Sequence, residues 1–287
     1  MKRLHPAMLV LSAFALTFAP VSLHALTDAE ATTGRDLVKR FADTVVSVEM
    51  VVTIKVTVGD RAMPPRESKV EMNGTVISPT GLTVTALSAI DPRSQLEAVR
   101  DRTGQKIELG ETEYKEVKLR LANGTEVPAV VVLKDADLDL AFIAPLAEGA
   151  ATPQVFACID LGDAATAEVL GNYFSVSRAP KNFQRTPLVR TTTVTGIVEK
   201  PRRLFLLSVQ DIGAPVLDRA GHVLGLPTQF LVNGRPSGLV VLPAADVAEI
   251  AKQAAAIKPE AVAQPAPVEP AAPAAPAKTA PEAAAKP

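Results

Sequence analysis

The 287 residues include 30 Lys and Arg against 31 Asp and Glu, which gives a formal net charge of -1. This balance provides no basic surface of the kind that binds nucleic acid or anionic membranes, and we expect neither as a partner. The single cysteine, Cys158, excludes an intramolecular disulfide and any cysteine-rich zinc module. Hydrophobic residues make up 47% of the chain, which is sufficient for a sizeable core.

The first 25 residues predict an export signal. Met1-Lys2-Arg3 is a positively charged start, and the stretch from Ala7 to Ala19 is apolar and uncharged. This stretch is short for a membrane span and suits the core of a signal peptide. We expect cleavage after Ala25, which would export the mature chain to the periplasm or the cell exterior without a transmembrane segment. The alternative is that the segment is retained as an N-terminal anchor.

The remaining sequence predicts an all-β domain flanked by two short helices. Asp28 to Phe41 and Val247 to Ile257 have the spacing of amphipathic helices. Between them, runs of Val, Ile and Thr alternate with turn residues and predict about eleven strands. These runs are Val45–Val58, Lys69–Ile77, Leu82–Thr85, Val117–Leu121, Val127–Leu133, Leu140–Ala144, Thr191–Val198, Leu204–Val209, Val216–Leu217, Val223–Leu226 and Gly238–Leu242. With no long helical stretch between the runs, they favour two closed antiparallel barrels of about six strands each.

Several short motifs predict turns. Asn123-Gly124 lies between two strand runs and predicts a type I′ hairpin. Asp218 to His222 and Asn233-Gly234 predict two further turns. Asn73 and Asn123 each begin an Asn-Gly-Thr sequon for glycosylation, but hairpin turns explain both sites better.

Four segments follow from these patterns. We expect a signal peptide at 1–25, an N-terminal helix with the first barrel at 26–147, a second barrel with a closing helix at 148–257, and a tail at 258–287. The connector between the barrels is expected in Glu148–Thr166, where Gly, Ala and Pro cluster. The tail is dominated by Ala and Pro, a composition that predicts an extended, disordered spacer.

Six segments in a fixed order resemble the HtrA/Deg branch of the trypsin-like serine peptidases. They are Asn73 to Gly81 (similar to "GSGvIisPdGyi"), Val117 to Val127, Asp137 to Ile143 ("tDlAvl"), Leu161 to Gly171, Thr193 to Val198 ("tvt.GiVs"), and Gly213 to Leu226 ("GGPLvd..G.viGi"). The resemblance covers about residues 35 to 250. It implies a two-barrel fold, with any active site in the cleft between the barrels.

The resemblance also marks the positions of a catalytic triad, and two of them are substituted. Where the family has "TNnHVv", Ser88 takes the place of the base. Where the family has "GNSGGP", Ile212 takes the place of the nucleophile and Gln210 that of the oxyanion-loop glycine, with Asp211 and Gly213 beside them. Asp139 alone matches its triad position, so no intact catalytic set is expected.

The positions of the three histidines also indicate that no intact catalytic set is present, independently of the alignment with the family motifs. His5 and His24 lie in the predicted signal segment, and His222 lies in a second-barrel turn shortly after Ile212. In this fold the base comes from the other barrel, so His222 is misplaced for that role. Peptide cleavage needs the nucleophile, the base and the orienting carboxylate together. We therefore expect the chain not to be an enzyme.

Other candidate groups are weaker. Ser208 is predicted on a strand, Cys158 lacks a partner histidine, and a pair of Ser88 with Lys134 would need a lysine of lowered pKa. We expect Asp139 to be a carboxylate at a barrel rim that accepts a hydrogen bond from Ser88. No group of ligands suits a metal, and no cofactor is expected.

Three functions remain open. The first is an exported pseudoprotease that binds extended polypeptide or an envelope partner through the cleft or a sheet edge built from Thr228–Val232 and Gly238–Leu242. The second is an envelope scaffold tethered by the Ala/Pro tail. The third is an active HtrA-like serine endopeptidase with a non-standard catalytic group. We expect the folded part to end near Ile257 without the PDZ domain that usually follows in this family, so trimeric assembly is not inferred and the oligomeric state stays open.

Overall fold

The computed structural model describes residues 27–104, 106–146, 154–208, 211–232 and 235–260. The predicted signal segment, Gln210, the Asn233-Gly234 turn and the tail from residue 261 onward lie outside the described residues. None of the helices in the described ranges is long and apolar enough to cross a membrane.

The first barrel is formed by strands rich in β-branched residues. Its strands are β1 (Val45–Val58), β2 (Arg61–Ala62), β3 (Arg66–Val76), β4 (Thr83–Ala86), β5 (Ile107–Arg120), β6 (Glu126–Asp135) and β7 (Leu140–Pro145). The sheet order is β2-β1-β3-β4-β7-β6-β5, and an additional pairing of β1 with β5 closes six of these strands into a ring. The short β2 pairs only with the end of β1 among the described strands.

The second barrel follows after an irregular connector. Its strands are β8 (Asn172–Arg178), β9 (Pro187–Val198), β10 (Leu204–Leu207), β11 (Val216–Leu217), β12 (Val223–Val232) and β13 (Arg235–Pro243). They form a closed antiparallel barrel in the order β10-β13-β12-β11-β8-β9. The predicted class, two six-stranded antiparallel barrels, is confirmed.

Four helices accompany the barrels in the described part of the chain: α1 (Asp28–Phe41), α2 (Leu87–Ile90), α3 (Arg93–Thr103) and α4 (Ala244–Ala255). α1 begins with a capping box, in which the Thr27 hydroxyl accepts from the Glu30 N–H and the Glu30 carboxylate accepts from the Thr27 N–H. This arrangement satisfies donors that a helix start leaves unpaired. α1 has the predicted bounds, and α4 begins and ends slightly earlier than its predicted range.

A shared apolar core holds the two barrels together. Phe142 and Leu140 from β7 and Phe174 from β8 belong to one cluster of buried side chains and are fully inaccessible to solvent. Leu37 from α1 and Val247 from α4 are buried in the same cluster. Full burial of such a side chain stabilises the fold by about 1.5–3 kcal/mol, so this cluster fixes the cleft between the barrels.

Four elements were missing from the predicted strands and helices: the short β2 and α2, and the longer β8 and α3. β8 alternates apolar and polar residues from Phe174 to Ser177, but its burial does not alternate, since Ser175, Ser177 and Arg178 are buried as well. α3 has few apolar residues and its N-cap is Pro92, which makes no side-chain capping bond. α3, of 11 residues, is thus a short helix that was not predicted, while the expectation of no long helical stretch between the strands is confirmed within the described ranges.

Two of the three predicted Asn-Gly turns need correction, and the third, Asn233-Gly234, lies outside the described residues. At Asn123-Gly124 the hairpin turn is present, but only Gly124 has a positive φ, of 84°, whereas a type I′ turn needs two such residues. The Gly124 N–H donates to the Leu121 carbonyl at 3.0 Å, which is the pattern of a type I turn followed by a left-handed glycine. Asn73 is not in a turn at all: it lies inside β3, opposite Ser47 of β1.

Candidate functional site

Ser88 and Asp139 meet where β4 and β7 face the second barrel. β4 ends at Ala86 and leads directly into α2, whose second residue is Ser88. The Ser88 backbone N–H donates to Asp139 Oδ1 at 2.6 Å, and the Ser88 hydroxyl donates to Asp139 Oδ2 at 2.9 Å. The Leu87 N–H donates to the Asp139 carbonyl at 2.9 Å. The expected hydrogen bond between Ser88 and Asp139 is confirmed.

The second barrel supplies another donor to the same carboxylate. The Gln229 backbone N–H of β12 donates to Asp139 Oδ2 at 2.6 Å. Asp139 is 2% exposed, and this burial raises the pKa of its carboxyl group, while the bonds from Gln229 and Ser88 oppose the rise. An ionised carboxylate is an acceptor only, so these donors, two backbone N–H groups and one hydroxyl, suit it.

Ile212 lies on a loop of the second barrel that reaches the first barrel. Its neighbour Gly213 has φ 78°, and a Cβ at Gly213 would lie 1.9 Å from the Asn73 carbonyl oxygen and 2.9 Å from Thr85 Oγ1. Only glycine fits at such a close approach. The Thr75 hydroxyl donates to the Gly213 carbonyl at 2.8 Å, which fixes the loop against β3 and β4. The Ile212 side chain is partly buried.

Asp211 anchors the same loop to its own barrel. The Ser175 and Ser177 hydroxyls of β8 donate to Asp211 Oδ2 at 3.4 and 3.2 Å. Arg190 Nε of β9 lies 3.4 Å from the same oxygen. Asp211 and Gly213 thus hold the loop in place from opposite sides of the cleft. Gln210, the third predicted residue of this loop, lies outside the described residues.

The remaining candidates have other partners. His222 is in the second barrel, as predicted, and its Nδ1 lies 2.8 Å from Asp218 Oδ2 in the turn between β11 and β12. The hydrogen bond to Asp218 raises the pKa of His222. Ser208 Oγ accepts from the Thr193 N–H at 3.1 Å, immediately after β10 rather than on a strand. Cys158 is only partly buried against the first-barrel core, and burial raises the pKa of its thiol.

The structure does not bring Ser88 and Lys134 together. Lys134 is exposed on β6, and its Nζ lies 5.2 Å from the centroid of the Tyr114 ring. Within the described ranges, no three His, Cys, Asp or Glu side chains are grouped so that they would hold a metal ion.

Two residues of the site were missed from the sequence. Gln229 binds Asp139 through its backbone, and a backbone contact leaves no trace in residue type. Asn73 presents its carbonyl to Gly213, and its side chain bonds to both the N–H and the carbonyl of Arg178 in the second barrel, at 3.1 and 3.2 Å. The glycine after Asn73 suggested a turn and concealed this role.

Two closed six-stranded antiparallel barrels, with a buried carboxylate in the cleft between them, define the architecture of the trypsin-like peptidases. The sequence profile of the trypsin-like peptidase domain matches residues 72–226, more than half of the 287 residues. The chain belongs to this family.

The crystal structure of Deg5, an HtrA-family protein, matches with a TM-score of 0.50 and 19% sequence identity, over 78% of this chain and 94% of the Deg5 chain. This likeness supports a fold of the HtrA/Deg type. No curated protein sequence matches the chain significantly.

Proposed function

We propose that this protein is an exported, catalytically inactive member of the trypsin-like peptidase family that binds extended polypeptide. The observation that carries the proposal is the bonding of Asp139. Its carboxylate accepts from the Ser88 N–H, the Ser88 hydroxyl and the Gln229 N–H. In an active triad one of these places belongs to the imidazole that the carboxylate orients.

The chemistry of the other triad position supports the same proposal. Ile212 has no atom able to attack a carbonyl, and acyl transfer needs an activated nucleophile. Loss of one triad member in such an enzyme lowers turnover by roughly four to six orders of magnitude. With Ser88 and Ile212 in place of the base and the nucleophile, we expect no hydrolysis by this route.

The edge of β12 supports polypeptide binding. β11 pairs with β12 only up to Gly225, so from Leu226 to Val232 the pairing of β12 within the described strands is with β13 alone. The Gln229 N–H faces away from β13 and is already donated to Asp139, so the Gln229 carbonyl, which in an antiparallel strand faces the same way, is the group offered to an added peptide. An extended peptide adds to such an edge through main-chain hydrogen bonds, which require no triad. Phe230 and Val232, which are 36% and 45% exposed, provide apolar contact beside the edge.

The first experiment tests catalysis. The purified chain is incubated with a fluorophosphonate serine-hydrolase probe and with casein, and both are examined by mass spectrometry. We expect no adduct and no cleavage. The double variant S88H/I212S restores the two missing groups and serves as a positive control for the cleft geometry, with I212S alone as its matched control. A stoichiometric adduct on the unmodified chain would refute the proposal, and the labelled residue would identify the nucleophile.

The second experiment tests binding. Fluorescence anisotropy with a labelled, unfolded casein fragment should show saturable binding by the unmodified chain. The variant F230S/V232S should weaken it at least about fivefold, because each exposed apolar contact contributes roughly 1 kcal/mol. V155S is the matched control, since Val155 is 80% exposed on the connector, away from β12. Equal affinities for the two variants would rule out the β12 edge as the binding surface.

The proposal of export depends on the predicted signal segment from Met1 to Ala25. Expression of the full chain in a bacterial host, followed by fractionation and N-terminal sequencing, should yield a periplasmic or secreted product that starts at or near Leu26. An intact N-terminus in the cytoplasmic fraction would contradict export.

A further inference from the structure

Asp139 links the first barrel to the outer edge of β12. Beyond Gly225, β12 pairs with β13 on one side. On the other side, the Gln229 N–H donates to Asp139 Oδ2 at 2.6 Å, and within the described ranges this is the hydrogen bond that joins the edge to the first barrel. Apolar packing of Leu226 in the shared core holds the start of this edge, and the carboxylate holds its middle.

The carboxylate is oriented by bonds that do not involve β12. The backbone of Asp139 has φ 57°, in the left-handed region that Asp adopts more readily than most non-glycine residues. The Asp139 carbonyl accepts from the Leu87 N–H at 2.9 Å, and Oδ1 accepts from the Ser88 N–H at 2.6 Å. Both donors belong to α2 in the first barrel. Asp139 is therefore already fixed on the side from which β12 is reached.

The three donors around Asp139 require a charged acceptor. Two are the N–H groups of Ser88 and Gln229, and the third is the Ser88 hydroxyl. An ionised carboxylate accepts at both oxygens, whereas an amide of the same size has one oxygen and would turn its NH₂ group towards one of the N–H donors. Keeping the charge at 2% exposure has a cost in hydration, which a side chain that only filled the space would avoid.

We infer that Asp139 is a positioning residue for polypeptide binding at the edge of β12, an inference that rests on the proposed function. Its carboxylate takes the Gln229 N–H and thereby holds Gln229 with the carbonyl facing away from β13. An added strand donates an N–H to this carbonyl, and an acceptor that is already fixed lowers the ordering cost of binding. The carboxylate then has a use that needs neither the base nor the nucleophile.

Acid should weaken binding through this carboxylate. Protonation turns one of its acceptors into a donor that faces N–H groups. The groups that face Asp139 in the described structure, from Ser88 and Gln229, do not titrate, and no charged side chain contributes to the rise of its pKa above the usual 3.8. The contribution of Asp139 to binding is therefore complete above this raised pKa and is lost as the pH falls through it.

D139N is the direct test, and D135N is its matched control. Asp135 Oδ1 accepts from the N–H groups of Asp137 and Leu138 in the turn before Asp139, so D135N makes the same change without removing the bond to β12. Calorimetry with the full chain measures binding of an end-blocked hexapeptide of Thr, Val and Gln, which has no titratable group. We expect D139N to weaken binding at least about tenfold, because a hydrogen bond to a charged group is lost, and D135N to stay within about twofold.

Two further measurements separate positioning from a purely structural role. In the unmodified chain, the affinity for the hexapeptide and the NMR shift of the Gln229 N–H should change with the same midpoint on acidification, while circular dichroism shows the chain to be folded. The affinity of D139N should not change over this range. If D139N does not fold, the agreement of the two midpoints in the unmodified chain is the test.

Failure of this inference differs from failure of the proposed function. An unmodified chain that binds no peptide at neutral pH would refute both. Binding that D139N retains, equal weakening by D139N and D135N, or an affinity that stays constant while the Gln229 signal titrates would each overturn the role of Asp139 alone.

Discussion

Asp139 is a buried carboxylate that depends on the hydrogen-bond donors around it. At 2% exposure, an ionised side chain loses most of its hydration, at a cost of several kcal/mol unless donors replace the water. Ser88 provides two donors from one residue, because its N–H and its hydroxyl reach different oxygens of the carboxylate. Ser88 therefore stabilises a charge that the fold buries whether or not the protein performs catalysis.

S88A removes the hydroxyl donor and keeps the backbone one. We expect it to lower the free energy of unfolding by about 1–2 kcal/mol, since a buried acceptor then loses a partner. S88T retains a hydroxyl and is the matched control. Urea denaturation followed by circular dichroism measures both. If S88A is as stable as S88T, the bond from Ser88 to Asp139 contributes nothing to the fold.

His222 gives a pH dependence whose sign follows from its bond to Asp218. That bond raises the pKa of His222 above the usual 6.5. Its contribution to stability is therefore complete below about pH 6.5 and is lost as the pH rises through the higher folded-state value. We expect NMR titration to give a pKa above 6.5. H222Q should remove this part of the pH dependence of the free energy of unfolding, and an unchanged profile would contradict the role of His222.

Residue types that carry a motif were predictable, and backbone contacts were not. Ser88 and Asp139 were paired from the sequence because both lie in recognisable segments with fixed positions in the fold. Gln229 reaches Asp139 through its N–H, which every residue except proline possesses.

Asn73 was assigned to a turn because of the glycine that follows it, but Gly74 lies in β3, where a Cβ would come within 2.7 Å of Thr83 and Val48. There the glycine is required by packing rather than by a turn.

At the scale of elements, strands with long runs of Val, Ile and Thr were predictable, whereas β8 and α3, which are held by polar contacts, were not. β1 has the predicted bounds because β-branched residues recur along its whole length. β8 buries Ser175 and Ser177, whose hydroxyls bond to Asp211, and this partner is distant in the sequence. α3 likewise depends on polar contacts from outside the helix, since its N-cap residue, Pro92, makes no capping bond.

Asp91 holds the start of α3, and D91A tests this contact. Asp91 Oδ1 accepts from the Arg93 N–H at 3.0 Å and from the Thr112 hydroxyl at 2.9 Å, while the Tyr114 hydroxyl donates to Oδ2 at 3.2 Å. We expect D91A to increase hydrogen exchange across residues 93–103 at least about tenfold and to leave β8 unchanged, because the loss is local. D60A, at the exposed β1–β2 turn, is the control.

A second readout of D91A comes from Tyr114. Burial raises the pKa of Tyr114, and the neighbouring Asp91 raises it further. Absorbance titration should therefore give a lower pKa for Tyr114 in D91A than in the unmodified chain. Unchanged exchange in 93–103 together with an unchanged pKa would show that Asp91 does not anchor α3.

For the whole molecule, the two barrels were predictable and the junction between them was not. Six segments in a fixed order indicated the fold because each supplies a strand pair or turn of one barrel. The polar part of the junction consists of single long-range contacts, in which Arg178 of β8 donates to the Val45 carbonyl of β1 and Asn73 of β3 bonds to the backbone of Arg178. These contacts join residues more than 100 positions apart, beyond the reach of any local pattern.

N73A tests whether these contacts make the barrels unfold as one unit. The variant loses both bonds to the Arg178 backbone and should lower the free energy of unfolding by about 2 kcal/mol. N123A loses one exposed bond to the Thr125 N–H and should cost at most about 0.5 kcal/mol.

The chain has no Trp and two Tyr, Tyr114 in β5 and Tyr173 in β8, so tyrosine fluorescence in Y173F and Y114F backgrounds reports each barrel separately. Because the apolar core spans both barrels, N73A should shift both fluorescence transitions together, each compared with its own background. A shift of the Tyr173 signal alone would mean that the second barrel unfolds independently and that the cleft is formed by two separately stable units.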